Sequence, residues 1–469
     1  MNLKTVKLFD GTKVCVPDSL NLITSYVIEE QLDWFEDEIK FIRELMLPGQ
    51  SAIDIGANYG LYTLAIAKKV GQSGSVYAFE PSSTTATNLS KSVKENGFSQ
   101  VIIEKKALSN INGEANLSLN DNSELNSLVN ESGPNGLSEK VTVTTLDSCM
   151  ASFGWENIDF VKIDAEGAEE NIINGGLVFL EANSPIIQFE IKDVSWHFSL
   201  VNKFKSLGYD SYRLVPGLNL LIPWVDNETP DGFLLNLFCC KKDTAKKLSK
   251  RGLLIEDSIQ SKDSIDHINS SLAKMEPTAD GWNNEMFTAP YLIFLSNYWC
   301  SNLDKFDHDL IRVLNLYSLS RSSESHTDRF FALKLAFVTI NEICKKFAGN
   351  LRLSTLARIA RELGYREKTI KALNILVNNI HQTKKVEFGE PFILPSSRFD
   401  SIKLDSFEKE LPNFIFGLTL HTLEMNDSYS SFYTGKNSLG RLDAIKGIGI
   451  IDGEIDRRLN LIKKRFNLT

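Results

Sequence analysis

The sequence predicts an α/β fold, a mostly parallel sheet with helices on both faces and an antiparallel pair at one edge, followed by a mainly α domain. Two observations predict it. Short apolar runs alternate with helix-length segments from Ser51 to about residue 245, the pattern of strands joined by crossover helices. From about Phe287 the periodicity is helical without strand signals. A charged, irregular stretch separates the two parts and is predicted to be a linker over 246–285.

The N-terminal residues 1–50 are predicted to form a β-hairpin and a helix that lead into the α/β domain. Asp10-Gly11 separates the apolar runs VKLF and KVCV, which is the signal of a tight turn between two strands. Apolar side chains then recur at helical spacing, which predicts one helix over Leu32–Met46, ended by Pro48-Gly49.

The α/β domain is predicted to occupy residues 51–245. Its strand candidates are AIDI (52–55), VYAF (76–79), VII (101–103), DFVKI (159–163), IIQFEI (186–191), LNLLI (218–222) and FLLNLF (233–238). Helices are expected near 60–70, 82–96, 167–174 and 195–207. The last two runs have no helix-length segment between them, so we expect them to be neighbours in an antiparallel hairpin at the sheet edge. The polar stretch 118–138 has no periodicity and is interpreted as a lid or binding loop, or as a plain surface excursion.

The accessory domain is predicted to span 286–469. Helices are expected over 290–300, 307–319, 327–347, 352–363, 367–381, 406–425 and 452–465. The segment 353–380 looks like one tetratricopeptide-type hairpin turning near Gly364, and it also resembles a DNA-binding helix-turn-helix with a local basic patch. A solvated helix face explains the basic residues equally well.

Charge and composition limit the class of protein. The chain has 469 residues, 51 basic and 60 acidic side chains, and a formal net charge of −9. A mildly acidic chain is a poor candidate for nucleic-acid or anionic-membrane binding. Six scattered cysteines without a C-x-x-C pair favour a reducing, cytoplasmic location. No apolar stretch is long enough to span a membrane, and none predicts a secretory signal.

The run AIDIGANYGLYTLAIA (52–67) carries the strongest chemical signal. It places Asp54, Gly56, Ala57, Asn58 and Gly60 between a strand and a helix. Glycines there let the backbone approach a ligand, and the helix N-terminus presents free N–H groups. The G-x-G-x-x-G pattern of dinucleotide sites is absent. The spacing D-x-G-x-x-x-G is instead the one used for S-adenosylmethionine.

Two further acidic signals follow. Glu80 ends the second strand, 26 residues after Asp54, where a carboxylate can accept hydrogen bonds from both ribose hydroxyls. A solvent-exposed strand-end carboxylate is the alternative. Asp164 and Glu166 follow a buried strand in FVKIDAEGAE, and Glu190 ends the next strand, so all three are expected at one sheet edge. Glu169 and Glu170 are explained by the dipole of the helix that they begin.

The motifs DIGANYGLYT, FEP, VTVTTLD and FVKIDAEGAE together resemble the FkbM-type methyltransferases, of the Rossmann-like class I S-adenosylmethionine-dependent fold. The resemblance covers roughly residues 5–240. It implies O-methylation of secondary-metabolite or sugar hydroxyls. It also implies that the glycine turn holds the methionine end of the cofactor, Glu80 the ribose and Ala107 the adenine, with Asp164 facing the donor. Ser82 and Ser83 stand where family members usually carry a second proline.

Methylation of a hydroxyl requires a proton acceptor within hydrogen-bond reach. The candidates are Asp164, Glu166 and Glu190, with His197 as a weaker fourth. A divalent cation between Asp164 and Glu190 is conceivable, but no further ligand is identifiable, and we expect no metal. The expected partner is a small-molecule or glycan acceptor, and the helical domain binds the acceptor or a protein. Lipid or secondary-metabolite acceptors and a non-catalytic nucleoside-binding scaffold are the alternatives.

Overall fold

A computed structural model gives the fold of the chain. It describes residues 2–129, 137–191, 194–225, 229–256, 262–274, 299, 301–386, 389–400 and 407–468. The chain divides into two compact units. Unit 1 comprises Met1–Leu214, Leu221–Thr229 and Leu234–Glu256, and unit 2 comprises Val215–Leu220, Pro230–Phe233 and Asp257–Thr469.

The N-terminal hairpin forms as predicted, with β1 (Leu3–Lys7) antiparallel to β2 (Lys13–Pro17). The single helix predicted from Leu32 is wrong in its first turn. Helix α1 (Ile23–Gln31) ends at Leu32, which has a left-handed φ of 55°, and α2 begins only at Asp37 and runs to Leu45. The Trp34 and Phe35 rings contact each other between these helices, so their apolar character serves a local aromatic pair rather than a helix face.

An eight-stranded sheet forms the centre of unit 1. Its strand order is β13-β12-β14-β11-β10-β3-β4-β5. The strands are β3 (Ser51–Ile55), β4 (Ser75–Phe79), β5 (Val101–Glu104), β10 (Phe160–Ile163), β11 (Ile186–Glu190), β12 (Asp210–Val215), β13 (Leu220–Pro223) and β14 (Asn236–Cys240). The five strands from β11 to β5 pair in parallel, and β14 is antiparallel to both β11 and β12. The predicted mostly parallel sheet with an antiparallel edge is confirmed.

The arrangement within that edge differs from the prediction. The runs 218–222 and 233–238 are not neighbours, because β12 lies between β13 and β14. The missed strand contains Arg213 among its apolar residues and lacks the uninterrupted apolar run on which the other strands were recognised.

A second, four-stranded sheet was not predicted. It has the order β6-β9-β7-β8. Its strands are β6 (Lys106–Leu108), β7 (Gly113–Ser118), β8 (Ser127–Val129) and β9 (Ser138–Thr144). The interpretation of 118–138 as one aperiodic loop is therefore wrong in part, since β8 pairs with the end of β7. Residues 130–136 lie outside the described part of the chain.

Helices cover both faces of the eight-stranded sheet, as predicted. They are α3 (Leu61–Val70), α4 (Ser83–Asn96), α5 (Leu146–Phe153), α6 (Glu169–Asn174), α7 (Leu177–Asn183), α8 (Val194–Ser206) and α9 (Lys242–Lys250). Alternate strand residues enter two separate apolar cores: Ala52 packs in one core, and Ile53 and Ile55 pack in the other. This alternation follows from the two-residue period of a strand.

Apart from Val215 and Leu220, which lie in β12 and β13, the regular elements among the described residues of unit 2 are helices. Its helices are α10 (Lys262–Lys274), α11 (His308–Ser322), α12 (His326–Lys346), α13 (Asn350–Glu362), α14 (Arg366–Thr383), α15 (Phe407–Asp427), α16 (Ser431–Thr434), α17 (Leu439–Ile448) and α18 (Gly453–Arg465). The hairpin predicted near Gly364 is present as α13 and α14. Helices α16 and α17 were not predicted, and the helix expected over 290–300 falls almost entirely outside the described residues.

Several residues of the predicted basic patch are committed to ion pairs inside unit 2. Arg352 donates to both carboxylate oxygens of Glu390 at 2.8 Å, and buried Arg358 pairs with Glu362 and Asp400. These arginines hold helices and loops of the unit together. Among the helices described, none combines the length and the apolar character needed to cross a bilayer.

Candidate functional site

The glycine turn joins β3 to α3 through left-handed backbone. Gly56, Asn58 and Gly60 have φ values of 75°, 49° and 89°. A Cβ at Gly56 would lie 1.7 Å from the carbonyl oxygen of Asp164, and one at Gly60 would lie 2.2 Å from Leu89 Cδ1. Glycine is therefore required at both positions, for the backbone conformation and for the space. The turn is in direct contact with the end of β10.

Glu80 lies at the end of β4 and is only 6% exposed. Its carboxylate accepts hydrogen bonds from the backbone N–H groups of Asn58 (2.8 Å) and Ser82 (2.9 Å). Burial raises the pKa of Glu80 to about 7, although these two N–H groups oppose the shift. The solvent-exposed alternative is excluded. A buried carboxylate with two backbone donors retains acceptor capacity for further hydroxyl groups.

Asp54 is buried at the end of β3, with 1% exposure. Thr63 Oγ1 donates to its Oδ2 at 2.5 Å, whereas Oδ1 has no hydrogen-bond partner among the described residues. Burial raises the pKa of Asp54, and the charge of Lys162 and the Thr63 hydroxyl act against it. Leaving a buried oxygen without a partner is costly, which is typical of a position that a ligand completes.

These residues fit S-adenosylmethionine. The turn between Asp54 and α3 has no side-chain cap on the helix N-terminus, so backbone N–H groups there are available to a ligand. Asp54 has an unsatisfied carboxylate oxygen that can accept a hydrogen bond from the amino group at the methionine end of the cofactor. Glu80 has a buried carboxylate that can accept hydrogen bonds from the ribose hydroxyls. Ala57 is buried beside Ala78 and Leu89, which fixes the backbone of the turn.

Asp164, Glu166 and Glu190 come together, as the strand ends predicted. Each offers one carboxylate oxygen, and the three oxygens lie within 4.8 Å of one another. We call this half-buried group the acidic edge. The backbone of Glu166 itself is left-handed, with a φ of 51°, in the turn that brings its side chain to the acidic edge. The sequence analysis identified no third oxygen ligand for a cation between Asp164 and Glu190. In the structure, a carboxylate oxygen of Glu166 lies beside theirs. Such oxygens could hold a divalent cation or accept a proton, and we assign no metal to them.

The turn that carries Glu166 is shaped by Glu169. The Glu169 Oε1 accepts hydrogen bonds from the backbone N–H groups of Ala165 and Gly167, both at 3.1 Å. Glu169 is fully buried and is the first residue of α6, which also has Glu170 in its first turn. Glu169 and Glu170 thus lie at the start of a helix, as predicted, and their explanation by the helix dipole stays a prediction.

Two further candidates lie elsewhere. Ala107 is in β6, and its side chain packs in the apolar core of the four-stranded sheet with Leu117, Val141 and Val143. Its placement beside the adenine stays a prediction. His197 lies in α8, but its side chain is outside the described residues.

The polar stretch after β7 touches the glycine turn. Ser123 Oγ donates to the Asn58 side-chain oxygen at 2.9 Å. Asn122 accepts a hydrogen bond from the backbone N–H of Ile23 at 2.9 Å, and Glu124 accepts one from that of Thr24 at 3.1 Å. These contacts favour a binding loop over a plain surface excursion.

Three functional candidates escaped sequence reasoning. Lys162 is buried two residues before Asp164 and donates to its Oδ2 at 2.7 Å. Tyr62 OH donates to Glu36 Oε2 at 2.5 Å. The alternation of FVKID could have shown that Lys162 and Asp164 share one face of the sheet. Glu36 carried no signal, because its segment was predicted to be helical.

Comparisons with known proteins agree with the motifs. A family model described as the methyltransferase FkbM domain matches residues 54–211. No curated protein sequence matches the chain.

Three solved structures illustrate the structural comparison. Methyltransferase FkbM from Methylobacillus flagellatus is 15% identical over 48% of this chain and 56% of that chain, with a TM-score of 0.29. A SAM-dependent O-methyltransferase from Thermotoga maritima is 16% identical over 51% and 77%, with a TM-score of 0.27. A putative rRNA methylase from Clostridium thermocellum is 13% identical over 45% and 95%, with a TM-score of 0.29. The fold assignment depends on the strands and helices described above.

Proposed function

From the premise that residues 54–211 form a methyltransferase FkbM domain, we propose that the protein is an S-adenosylmethionine-dependent O-methyltransferase. The acceptor is a hydroxyl of a sugar in a polysaccharide or glycoconjugate. The family match to residues 54–211 supports the methyltransferase domain that the motifs predicted, and S-adenosylmethionine is the cofactor that we assign to it. The contact between Gly56 and the backbone carbonyl of Asp164 is the observation that supports the proposal, because the strand end that carries Asp164 lies against the glycine turn.

The cofactor is assigned to the turn and to the ends of β3 and β4. Asp54, Gly56, Asn58 and Gly60 hold its methionine end, and Glu80 accepts from the ribose hydroxyls. When bound, S-adenosylmethionine supplies an electrophilic methyl group. The buried carboxylates of Asp54 and Glu80 remain costly in the free protein, and ligand donors offset that cost.

The acidic edge is assigned to the acceptor. A carboxylate of Asp164, Glu166 or Glu190 takes the proton of the attacking hydroxyl. The hydroxyl oxygen would accept the methyl group and become a methyl ether, with S-adenosylhomocysteine as the leaving group. A hydroxyl-rich acceptor suits this edge because each carboxylate accepts hydrogen bonds and donates none. A neutral sugar brings several donors and no like charge. Holding the hydroxyl in place supplies much of the rate through orientation.

The proposal is tested by transfer of a tritium-labelled methyl group to a panel of glycosides, nucleotide sugars and hydroxylated lipids. We expect labelled product that survives mild base, since methyl ethers do and methyl esters do not. Substitution of the true proton acceptor by its amide should lower kcat at least about 100-fold. The variants are Asp164→Asn, Glu166→Gln and Glu190→Gln.

The control is Glu170→Gln, which changes an acidic side chain of the adjacent helix outside the acidic edge. It should keep the wild-type rate. Base-labile label would contradict O-methylation of a hydroxyl, and equal rates in all four variants would contradict the assigned edge. Label on lipids but on no sugar would redirect the acceptor assignment.

A further inference from the structure

A row of three buried polar side chains crosses the sheet below the acidic edge. Asp54 on β3, Lys162 on β10 and Gln188 on β11 are directly paired in register, so their side chains share one face. Their exposures are 1%, 5% and 0%. Apolar residues would fill this space at lower cost, because burying a charge carries a large desolvation penalty. The row therefore calls for a functional explanation.

Lys162 is the cation of this row. Its Nζ donates to Asp164 Oδ2 at 2.7 Å and lies 4.9 Å from the centre of the Tyr62 ring. Burial alone would lower the pKa of Lys162, but the negative charges of Asp164, Asp54 and Glu36 outweigh burial and raise it. The ammonium group is therefore charged at neutral pH.

Glu36 brings a further carboxylate to the same face, from the segment that precedes α2. Its Oε1 accepts from Trp34 Nε1 at 2.9 Å. Its Oε2 accepts from Tyr62 OH at 2.5 Å and from Asn236 Nδ2 at 3.2 Å. Burial raises the pKa of Glu36, and the charge of Lys162 is the largest opposing influence. Residues outside the family-matched segment thus contribute to the charge balance beneath the acidic edge.

Asn236 and Gln188 complete the surroundings of Glu36 and Tyr62. Asn236 is the register partner of Glu190, so it links Glu36 to the strand that carries part of the acidic edge. Gln188 Nε2 donates to Tyr62 OH at 3.1 Å. Tyr62, with its pKa raised well above the usual value by burial and by Glu36, stays neutral and donates a hydrogen bond to Glu36. The cation and its carboxylates are therefore held in fixed positions.

We propose that Lys162 is a positioning residue for methyl transfer, whose ammonium group fixes the Asp164 carboxylate at the strand end and balances the negative charge of Asp54 and Glu36. The inference rests on the proposed function, because Asp164 is assigned to face the donor. The Asp164 side chain is 35% exposed while Lys162 is almost fully buried beneath it. Lys162 thus acts on the reaction through Asp164.

The first test is calorimetric titration with S-adenosylhomocysteine. Lys162→Met should weaken binding about tenfold, and Asp164→Asn should weaken it comparably. The double variant Lys162→Met/Asp164→Asn should bind within about twofold of Asp164→Asn alone, because coupled residues are not additive. The control Lys140→Met removes a similar ion pair, with Glu114, from an exposed part of the four-stranded sheet and should bind like wild type.

The second test has a readout that loss of packing alone would not move. Fluorine-labelled Trp34, assigned with Trp34→Phe, reports the protonation of Glu36 through the hydrogen bond between them. In Lys162→Met the midpoint of this titration should rise by about one pH unit, because a nearby opposite charge is lost. Lys140→Met should leave the midpoint unchanged.

The possible outcomes separate the two proposals. No binding of S-adenosylhomocysteine by wild type would overturn the proposed function itself. Wild-type binding with additive losses in the double variant, or an unmoved Trp34 midpoint, would overturn the role of Lys162 alone. If Lys162→Met does not fold, Lys162→Arg decides, because it keeps the charge and moves the donor atoms. In Lys162→Arg, an unchanged midpoint of the Trp34 titration together with weaker binding of S-adenosylhomocysteine supports the proposal. Unchanged binding of S-adenosylhomocysteine by this variant contradicts it.

Discussion

The carbonyl oxygen of Asp164 occupies the space that any side chain at Gly56 would need. A Cβ on Gly56 would come within 1.7 Å of that oxygen. The glycine turn after β3 is therefore in contact with the end of the neighbouring strand β10, where Asp164 contributes to the acidic edge. The proposed function needs this closeness, because it assigns the methyl donor to the turn and the proton acceptor to the acidic edge.

Gly56→Ala should destabilise the protein and abolish cofactor binding. The left-handed backbone alone costs about 1–2 kcal/mol for alanine, and relieving the overlap with Asp164 should add about 1–3 kcal/mol. The measurement is urea unfolding combined with calorimetric titration of S-adenosylhomocysteine.

The matched control is Gly97→Ala. Gly97 also has a left-handed φ, of 68°, but no atom lies within 4 Å of a Cβ built there. Only the backbone cost of about 1–2 kcal/mol should appear, with binding intact. Equal effects of the two substitutions would contradict the contact described here.

Glu80 should make stability depend on pH. Its pKa is raised from 4.5 to about 7 in the fold, so the protonated form is favoured. Protonation of Glu80 therefore stabilises the fold fully below pH 4.5, and this stabilisation is lost as the pH rises through 7. Relative to Glu80→Gln, the wild type should lose up to about 3 kcal/mol of its free energy of unfolding across this window. Urea unfolding at a series of pH values measures the difference.

A control for the pH experiment is Glu114→Gln. Glu114 is an exposed carboxylate paired with Lys140 on the four-stranded sheet. Its curve should run parallel to that of the wild type, since exposed ion pairs contribute little. A Glu80→Gln curve that also runs parallel to wild type would show that Glu80 is not buried as described.

Ser123→Ala should weaken cofactor binding while leaving the fold intact. The Ser123 hydroxyl donates a hydrogen bond to the side chain of Asn58 in the glycine turn. One hydrogen bond contributes about 0.5–1.5 kcal/mol, which corresponds to roughly 2- to 12-fold in affinity. Titration with S-adenosylhomocysteine measures it. Ser152→Ala, on the exposed surface of α5, serves as the control. Identical affinities of both variants for S-adenosylhomocysteine would show that the loop after β7 does not contribute to the binding site.

Arg358→Met should destabilise unit 2. Burial alone would lower the pKa of Arg358, but Tyr317, Glu362 and Asp400 keep it raised, so the guanidinium stays charged. Removing one partner of a buried ion pair costs about 3–5 kcal/mol. The measurement is thermal unfolding. Lys371→Met, which breaks only the exposed pair with Glu367, should shift the free energy by less than about 0.5 kcal/mol. A similar loss in both variants would contradict the buried network.

Periodicity predicted the part of the fold that positions the site. The strand, turn and helix around Asp54 and Gly60 follow from an apolar run, two glycines and a largely apolar segment of helical length, all local in sequence. The small sheet β6–β9 was missed because its two longest strands, β7 and β9, are rich in polar residues and lack a continuous apolar run. Such strands are stabilised by pairing with other strands rather than by their own pattern.

The site was predictable only where strand ends define it. Asp164, Glu166 and Glu190 meet because parallel strands end at one edge. The contacts of Glu36 with Tyr62 and Asn236 join positions up to 200 residues apart, and no local spacing encodes them. The position of Lys162 could have been predicted, because strand alternation places it on the same face as Asp164. It was overlooked because lysine is rarely found in a buried strand.

The most direct measurement is calorimetric titration of S-adenosylhomocysteine into wild type, Glu80→Ala and the control Glu104→Ala. Glu104 ends the neighbouring strand β5 and pairs with Lys106 at 2.7 Å. We predict saturable one-to-one binding by wild type and the control, and at least tenfold weaker binding by Glu80→Ala, about 1.4 kcal/mol. Absence of binding by wild type, or equal binding by all three proteins, would contradict the assignment of the cofactor site.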